Sequence, residues 1–344
     1  MNKIIFIAPE PMKGSGGVAR IYKYAEYLNS NGFVCDILAV NSIKEQSLLQ
    51  INAKDYYNIN NTIIYSGNEL QKDYDIIIAT MWNTTDFVKK QPVKYKAYLV
   101  QDFEAIFNQL GDGYIMAENS YFNNFYVFTY GKWLSQHLSI NYGVSASNTT
   151  FRSDSNIFFR KNENRIASKK ICFIYQHDKP RRCPLIGLEV LEIVKEKRPN
   201  AEIVLVGSDI TTNLNFEHIN LGILTSNELN DLYNNCKVGF CISTSNPSCN
   251  AFDMMYSGLP CVELYRDSNL YDMPDDANII LSHSTPESMA SAIIELFDND
   301  ILNSEMSEKG IKKCIEIETT NITEKEEFRI FIENVLTNKS IHNN

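Results

Sequence analysis

The sequence predicts an α/β protein built as two doubly wound parallel-sheet domains, and three observations carry that prediction. Short, continuous apolar runs recur along the chain and alternate with segments of helical period. The alternation breaks at a polar stretch over residues 145–155 and a linker expected at 156–168, then restarts. The halves also differ in charge: residues 1–168 hold 16 Lys and Arg against 15 Asp and Glu, whereas residues 169–344 hold 16 against 27. At 344 residues the chain has the length of two ordinary domains, each able to bury its own core. The expected divisions are 1–155, 169–320, and a terminal helix with tail over 321–344 that is free to cross back to the first domain.

The first half opens with a buried strand, Lys3–Ala8, bounded by Pro9 and Pro11. Runs of this kind suit parallel strands covered on both faces. A Gly-rich loop, Met12–Gly17, leads into a helix over 18–31, with Ala19, Tyr22, Ala25 and Leu28 near helical spacing and Gly32 as the stop. A strand at 34–40 completes a βαβ unit. Further strands are expected at 75–80, 96–100 and 126–129, then a helix at 132–141 closed by Gly143. In the second half, strands are expected at 170–175, 201–206, 238–242 and 260–264. Helices are expected at 183–197, 226–234, 249–257, 286–299 and 325–337, with a frayed tail at 338–344. The helix at 226 carries an imperfectly spaced capping box, Ser226 with Glu228.

Composition narrows the function classes. The eight cysteines include no C-x-x-C pair and the five histidines are scattered, so zinc-site spacing is absent and most thiols read as small buried hydrophobes of a reduced compartment. The apolar run after Met1 is too short for a signal peptide, and no window approaches the ~18–20 apolar residues of a membrane span. A cytosolic protein is expected, with peripheral contact at the inner face of a membrane left open. A net charge of −10 argues against bulk nucleic-acid binding.

In open α/β sheets ligands bind at the carboxyl ends of strands, and four such ends stand out. Gly14-Ser15-Gly16-Gly17-Val18-Ala19-Arg20 offers free N–H groups to a phosphate or sugar oxygen where it enters a helix, or is a flexible turn. It does not follow its strand closely enough to be a dinucleotide fingerprint. Gln101-Asp102-Phe103-Glu104 places two acids and an amide after a buried strand, for general-base and orienting work or for loop capping. His177-Asp178-Lys179-Pro180-Arg181-Arg182 gathers three cations in an otherwise acidic half, matched to phosphate or simply solvated. Residues 243–260, from Ser243-Thr244-Ser245-Asn246-Pro247-Ser248 through the helix to Gly258-x-Pro260, put small polar residues before a helix whose first-turn amides can bind a diphosphate.

These loops, in this order, resemble the retaining GT-B glycosyltransferases of family 4. The match runs from Pro9…Gly16-Gly17-Val18-Ala19-Arg20 with Asn31-Gly32-Phe33 to Leu221-Gly222, Glu228-Leu229, Val238-Gly239 and Asp253-Met254-Met255-x-x-Gly258-x-Pro260. A narrower set, Val100-Gln101-Asp102-Phe103-Glu104, Ala117-Glu118-x-x-Tyr121 and Ser245-Asn246-Pro247-Ser248, looks like bacterial rhamnosyltransferases of the WsaF type.

The resemblance implies two Rossmann-like domains facing across a cleft, and retaining, metal-independent transfer of a sugar to a bacterial surface glycan or its lipid-linked precursor. L-rhamnose from dTDP-L-rhamnose is the favoured donor. Arg181, with Lys179 and Arg182, would stabilise the leaving diphosphate together with amides near Ser248, Cys249 and Asn250. Gln101, Asp102 and Glu104 would hold acceptor or donor sugar. Gly16, Gly17, Leu224, Ser245 and Asn246 would line the donor side, and Asp253 would hold the ribose. The family's first acid falls on Ser245, which is not acidic, and that gap favours a deoxy-sugar. No cofactor is expected. A transferase for another UDP- or GDP-sugar, a sugar-nucleotide epimerase and a non-catalytic glycan-binding subunit stay open as alternatives.

Overall fold

A computed structural model describes residues 1–162, 165–210, 213–273, 278–319 and 322–337. Residues 274–277, which include the adjacent acids Asp275 and Asp276, and the tail 338–344 lie outside the described residues. The chain forms two compact units, one of Met1–Thr150 with Ile322–Asn344 and one of Phe151–Asn321.

In the first unit the order is β1 (Lys3–Ala8), α1 (Gly16–Ser30), β2 (Val34–Val40), α2 (Gln46–Tyr57), β3 (Ile64–Gly67), β4 (Ile76–Ala79), α3 (Thr85–Lys90), β5 (Tyr95–Val100), α4 (Asp112–Asn119), β6 (Tyr126–Tyr130), α5 (Lys132–Tyr142) and β7 (Ala146–Thr149). Among the described residues these strands form one parallel sheet in the order β3-β2-β1-β4-β5-β6-β7. The continuous apolar run of β1 divides by alternation. Ile4, Phe6 and Ala8 join a core with Tyr22, Tyr24 and Leu28 of α1, while Ile5 and Ile7 join a second core with Val88, Leu134 and Leu138. Both sheet faces are thus covered, which is why the strand reads as uniformly apolar.

The second unit runs through β8 (Lys170–Ile174), α6 (Pro184–Lys197), β9 (Glu202–Val206), β10 (His218–Asn220), α7 (Ser226–Asn235), β11 (Val238–Phe240), α8 (Cys249–Tyr256), β12 (Cys261–Leu264), α9 (Asp267–Asp272), β13 (Ile279–Ser282), α10 (Pro286–Asp298) and α11 (Asp300–Glu318). Its parallel sheet has the order β10-β9-β8-β11-β12-β13. The last helix, α12 (Glu324–Leu336), belongs to the first unit. It stacks Phe328 on Tyr24 with ring centroids 4.5 Å apart and buries Phe331, Ile332 and Val335 in the core of α1. Each such side chain contributes roughly 1.5–3 kcal/mol of burial.

Several expectations change. The described residues of the segment 156–168, expected as a linker, pack into the second unit: Asn230 and Asn234 accept the amides of Phe159 and Lys161 at 3.2 and 2.5 Å, and buried Arg165 donates to Asn303 at 2.9 Å. The stretch expected to be irregular from residue 145 contains β7, an edge strand whose polar sequence carries no strand signal. The capping box of α7 is built by Thr225: its hydroxyl accepts the Glu228 amide and Glu228 accepts the Thr225 amide at 2.8 Å. Helix α1 begins at Gly16, two residues early, because the Ser15 hydroxyl caps it.

Close packing also sets the height of α6 over its sheet. A Cβ on Gly187 would lie 2.0 Å from the ring of buried Phe173. Phe173 stacks on Phe240 at 4.8 Å and cannot withdraw without disturbing the core. Gly187→Ala is therefore expected to lower stability by about 1–3 kcal/mol, although alanine improves helix propensity by roughly 1 kcal/mol. Urea or thermal unfolding reads the sign, and a stabilised variant would contradict the close approach.

Candidate nucleotide-sugar site

In the second unit the strand order reverses between β8 and β11, the place where open α/β sheets take their ligands. The loop after β8 forms a tight 3-10 turn, Pro180–Arg182, ended by Cys183 in a left-handed conformation at φ 44°. Burial, followed by the neighbouring charge of Arg181, holds the Lys179 ammonium below its usual range. These cations are therefore a partly desolvated cluster rather than a freely solvated run. The Nη1 of Arg182 is buried and makes no hydrogen bond among the described residues.

The loop after β11 is tied to this turn. The Arg181 carbonyl accepts the Thr244 amide at 3.1 Å and the Thr244 hydroxyl at 3.2 Å. The Ser243 hydroxyl closes the loop onto the Asn246 carbonyl at 2.6 Å, and Ser268 donates to the Ser245 carbonyl at 2.5 Å. Ser245, Asn246 and Ser248 are buried. Ser248 caps α8 by position without a side-chain bond, Cys249 opens the helix half-buried, and Asn250 accepts from Tyr233 at 3.2 Å. The basic turn and the loop that leads into α8 are thus held together, and their cations and first-turn amides are groups of the kind that can take an anion.

Asp253 sits one turn into α8 as expected, but its Oδ1 already accepts the Ser153 hydroxyl at 2.5 Å. Leu224 lies half-buried on the loop between β10 and α7, outside the β8–β11 junction.

In the first unit the order reverses between β1 and β4. Gly16 and Gly17 occupy the first turn of α1. The glycine that the backbone itself demands there is Gly14, at φ 75°. A Cβ on Gly17 would meet Gln101 at 3.6 Å, so the loop after β5 comes up against this turn. Arg20 holds Gln101 in place: Nη1 donates to Oε1 at 3.2 Å, Nε pairs with Glu324 of α12 at 3.1 Å, and the guanidinium lies 3.6 Å over the Tyr130 ring. Arg20 is quoted in the sequence match without a role; its place three residues after Gly17, one helical turn, is the signal that could have found it.

Asp102 is buried and accepts the amide of the next residue, Phe103, at 2.9 Å. Glu104 departs from expectation altogether. It turns into the core, accepts the Trp82 amide at 2.5 Å and the Tyr98 hydroxyl at 3.2 Å, and is 3% exposed, so it cannot hold a sugar in this conformation. Tyr98 and Tyr121, whose rings stack 6.1 Å apart, both touch it: the Tyr121 hydroxyl accepts the Glu104 amide at 3.1 Å. Burial pushes its carboxyl up to about 8 against the pull of the Trp82 amide.

The unfolded chain releases that proton near the ordinary glutamate value, the folded chain only near 8. Between these limits the folded state binds more protons, and stability falls as pH rises. This one group contributes on the order of 1 kcal/mol per pH unit. Glu104→Gln removes the titration. The difference in Tm between variant and wild type should move in the variant's favour from pH 5 to pH 8, and a difference constant with pH would contradict the buried, protonated state.

Among the described residues no group of three or more His, Cys, Asp or Glu is placed to hold a metal ion, and no helix is long and apolar enough to cross a membrane.

Comparison with known proteins agrees with this architecture. Residues 169–294, within the second unit, match the model of the WsaF C-terminal domain family. The O-antigen biosynthesis protein RfbC of Myxococcus xanthus is 23% identical over 245 residues, covering 70% of this chain but only 19% of that protein. TarM from S. aureus superposes with a TM-score of 0.77 at 12% identity, over 98% of this chain and 99% of TarM. Anabaena Alr3699/HepE, in complex with UDP and glucose, superposes with a TM-score of 0.71 at 13% identity, over 99% and 100% of the two chains. Sucrose-phosphate synthase from Thermosynechococcus elongatus gives 0.68 at 12% identity, over 92% and 94%. The chain has the GT-B fold, its second unit carries the WsaF C-terminal domain signature, and it resembles glycosyltransferases of the WsaF type.

Proposed function

We propose that the protein is a glycosyltransferase that moves a sugar from a nucleotide-activated donor to a glycan during polysaccharide biosynthesis. The observation that carries this reading is the junction of the basic turn with the loop before α8, joined by two hydrogen bonds from Thr244 to the Arg181 carbonyl. A diphosphate there would meet Arg181, Lys179 and Arg182 on one side and the amides of Cys249 and Asn250 on the other. These groups stabilise charge that develops on the leaving group and need no reorganisation as it forms. The WsaF-type match over this unit and the UDP-sugar complexes of structural neighbours support the same reading.

The finer reading is transfer with retention, without a metal, from a 6-deoxy-sugar donor, dTDP-L-rhamnose first. Ser245 in place of an acid supports a donor with fewer hydroxyls to grip. Asp253 would reach the ribose by sharing or giving up its bond to Ser153. In the first unit Gln101, steadied by Arg20, is the residue of its loop best placed to hold a sugar, with Gly16 and Gly17 beside it.

Arg181→Ala should lower turnover roughly 30- to 1000-fold, the equivalent of about 2–4 kcal/mol of lost charge-assisted contact, with a Tm close to wild type. Wild-type turnover in the folded variant would remove the diphosphate role. In a donor panel, dTDP-L-rhamnose should bind more tightly and turn over faster than UDP-glucose or GDP-mannose, and EDTA should leave the rate unchanged. Preference for a fully hydroxylated sugar would end the deoxy-sugar reading, and loss of activity in EDTA reversed by Mg²⁺ or Mn²⁺ would end the metal-independent one.

A further inference from the structure

Glu263, on β12, is fully buried, yet the donor chemistry proposed above makes no direct use of it. Its neighbours Val262 and Leu264 point into the core beneath α6 and α10, so strand alternation sends Glu263 to the opposite face, with Cys261. Its position matters because of the hydrogen bonds that β11 makes with β12. The Gly239 amide donates to the Pro260 carbonyl at 2.9 Å and the Cys241 amide to the Val262 carbonyl at 3.1 Å. The next rung of a parallel ladder would join the Ser243 amide to the Leu264 carbonyl. That rung is missing. Glu263 Oε1 takes the Ser243 amide at 2.7 Å together with the Leu264 amide at 2.9 Å, and the freed Leu264 carbonyl accepts from Asn269 Nδ2 at 2.5 Å. Oε2 accepts the Cys241 thiol at 3.2 Å. One residue further on, the Thr244 amide has crossed to the Arg181 carbonyl.

We infer that Glu263 is a positioning residue of the donor site: by taking the Ser243 amide it ends the β11–β12 ladder, sends residues 243–248 out of the sheet towards the basic turn, and stations a carboxyl group beside Arg182. This rests on the nucleotide-sugar reading given above.

The same placement couples the loop to charge. The groups facing Glu263 are Arg182 and Cys183 from the turn before α6, Cys241 after β11, and Cys261 on β12, with Arg266 acting on Cys183 from the start of α9. Burial lifts the Cys183 thiol, and the contact with Cys261 together with burial lifts that of Cys241, so both stay neutral from pH 6 to 8. Burial likewise lifts the Glu263 carboxyl, to about 7, against the pull of the Leu264 amide and of Arg182. A diphosphate bound beside Arg182 adds negative charge and disfavours an ionised Glu263. Protonation of Glu263 and binding of the anion therefore reinforce one another.

Calorimetric titration of the whole chain with dTDP and with UDP, between pH 6 and pH 8, tests this on wild type, Glu263→Gln and Glu263→Asp. Glu263→Gln keeps the shape and an acceptor for Ser243 but does not titrate. Its affinity carries only the ionisation of the diphosphate itself, whereas wild type should lose a further ~3- to 10-fold over the same range. Glu263→Asp keeps the charge but falls one methylene short of Ser243, and should bind about tenfold more weakly at every pH while still unfolding cooperatively. A second measurement needs no variant: titrations of wild type at pH 8 in buffers of different ionisation enthalpy should show proton uptake on binding. Identical pH profiles for wild type and Glu263→Gln, full affinity in Glu263→Asp, or binding without proton uptake would each overturn the assignment. If wild type binds neither nucleotide at any pH, the nucleotide-sugar reading itself fails, and that result is distinct from the others.

Discussion

A strand that ends in a parallel sheet leaves backbone donors without their next partner, and a ligand-binding loop can form only where those donors are redirected. Both units meet this constraint with a buried carboxyl group. In the first, the Trp82 amide after β4 goes to Glu104, which follows β5; in the second, the Ser243 amide after β11 goes to Glu263 on β12. The acid lies on β12 itself in the second unit and four residues past the end of β5 in the first, and burial raises the carboxyl of each. A neutral or half-ionised carboxyl is a suitable stop because it accepts amides without imposing a full uncompensated charge on the core.

The basic turn lies next to this stop, tied to it through Thr244. The second half of the sequence is strongly acidic, yet Lys179, Arg181 and Arg182 converge on a turn whose geometry depends on Cys183 adopting φ 44° and on Gly187 letting α6 approach Phe173. Desolvation of Lys179 and the buried Nη1 of Arg182 describe a cluster assembled at a cost in the free protein. In the donor site proposed above, a bound anion would offset that cost.

The first unit depends on a different device. Arg20 is held between Glu324, Gln101 and the face of Tyr130, so a residue of the final helix steadies a side chain at the carboxyl edge of the sheet. The first turn of α12 brings two more acids, Glu326 on Tyr27 and Glu327 on Thr149, to the same unit. The terminal helix thus supports the loop geometry of this unit as well as filling its core with Phe328 and Phe331.

Local physics made much of this legible in advance. Ile4–Ala8, Ile171–Ile174 and Ile203–Val206 are continuous apolar runs, and only a parallel sheet covered on both faces buries such runs completely, so the fold class was determined by the sequence alone. The basic turn and the α8 loop were legible as strand-end loops, which the structure places after β8 and β11. Tertiary structure decided what depends on partners distant in sequence. The polar edge strand Ala146–Thr149 carries no apolar signal, and its place in the sheet comes from pairing with β6. Glu104 looks like a site acid in sequence and becomes a core acid only where Trp82, Tyr98 and Tyr121 bond to it. Glu263 looks like an ordinary strand residue, and its role appears only when Ser243, twenty residues earlier, is found to have given up its rung of the ladder. Periodicity encodes which face a side chain takes; which donor waits on that face is set by the fold.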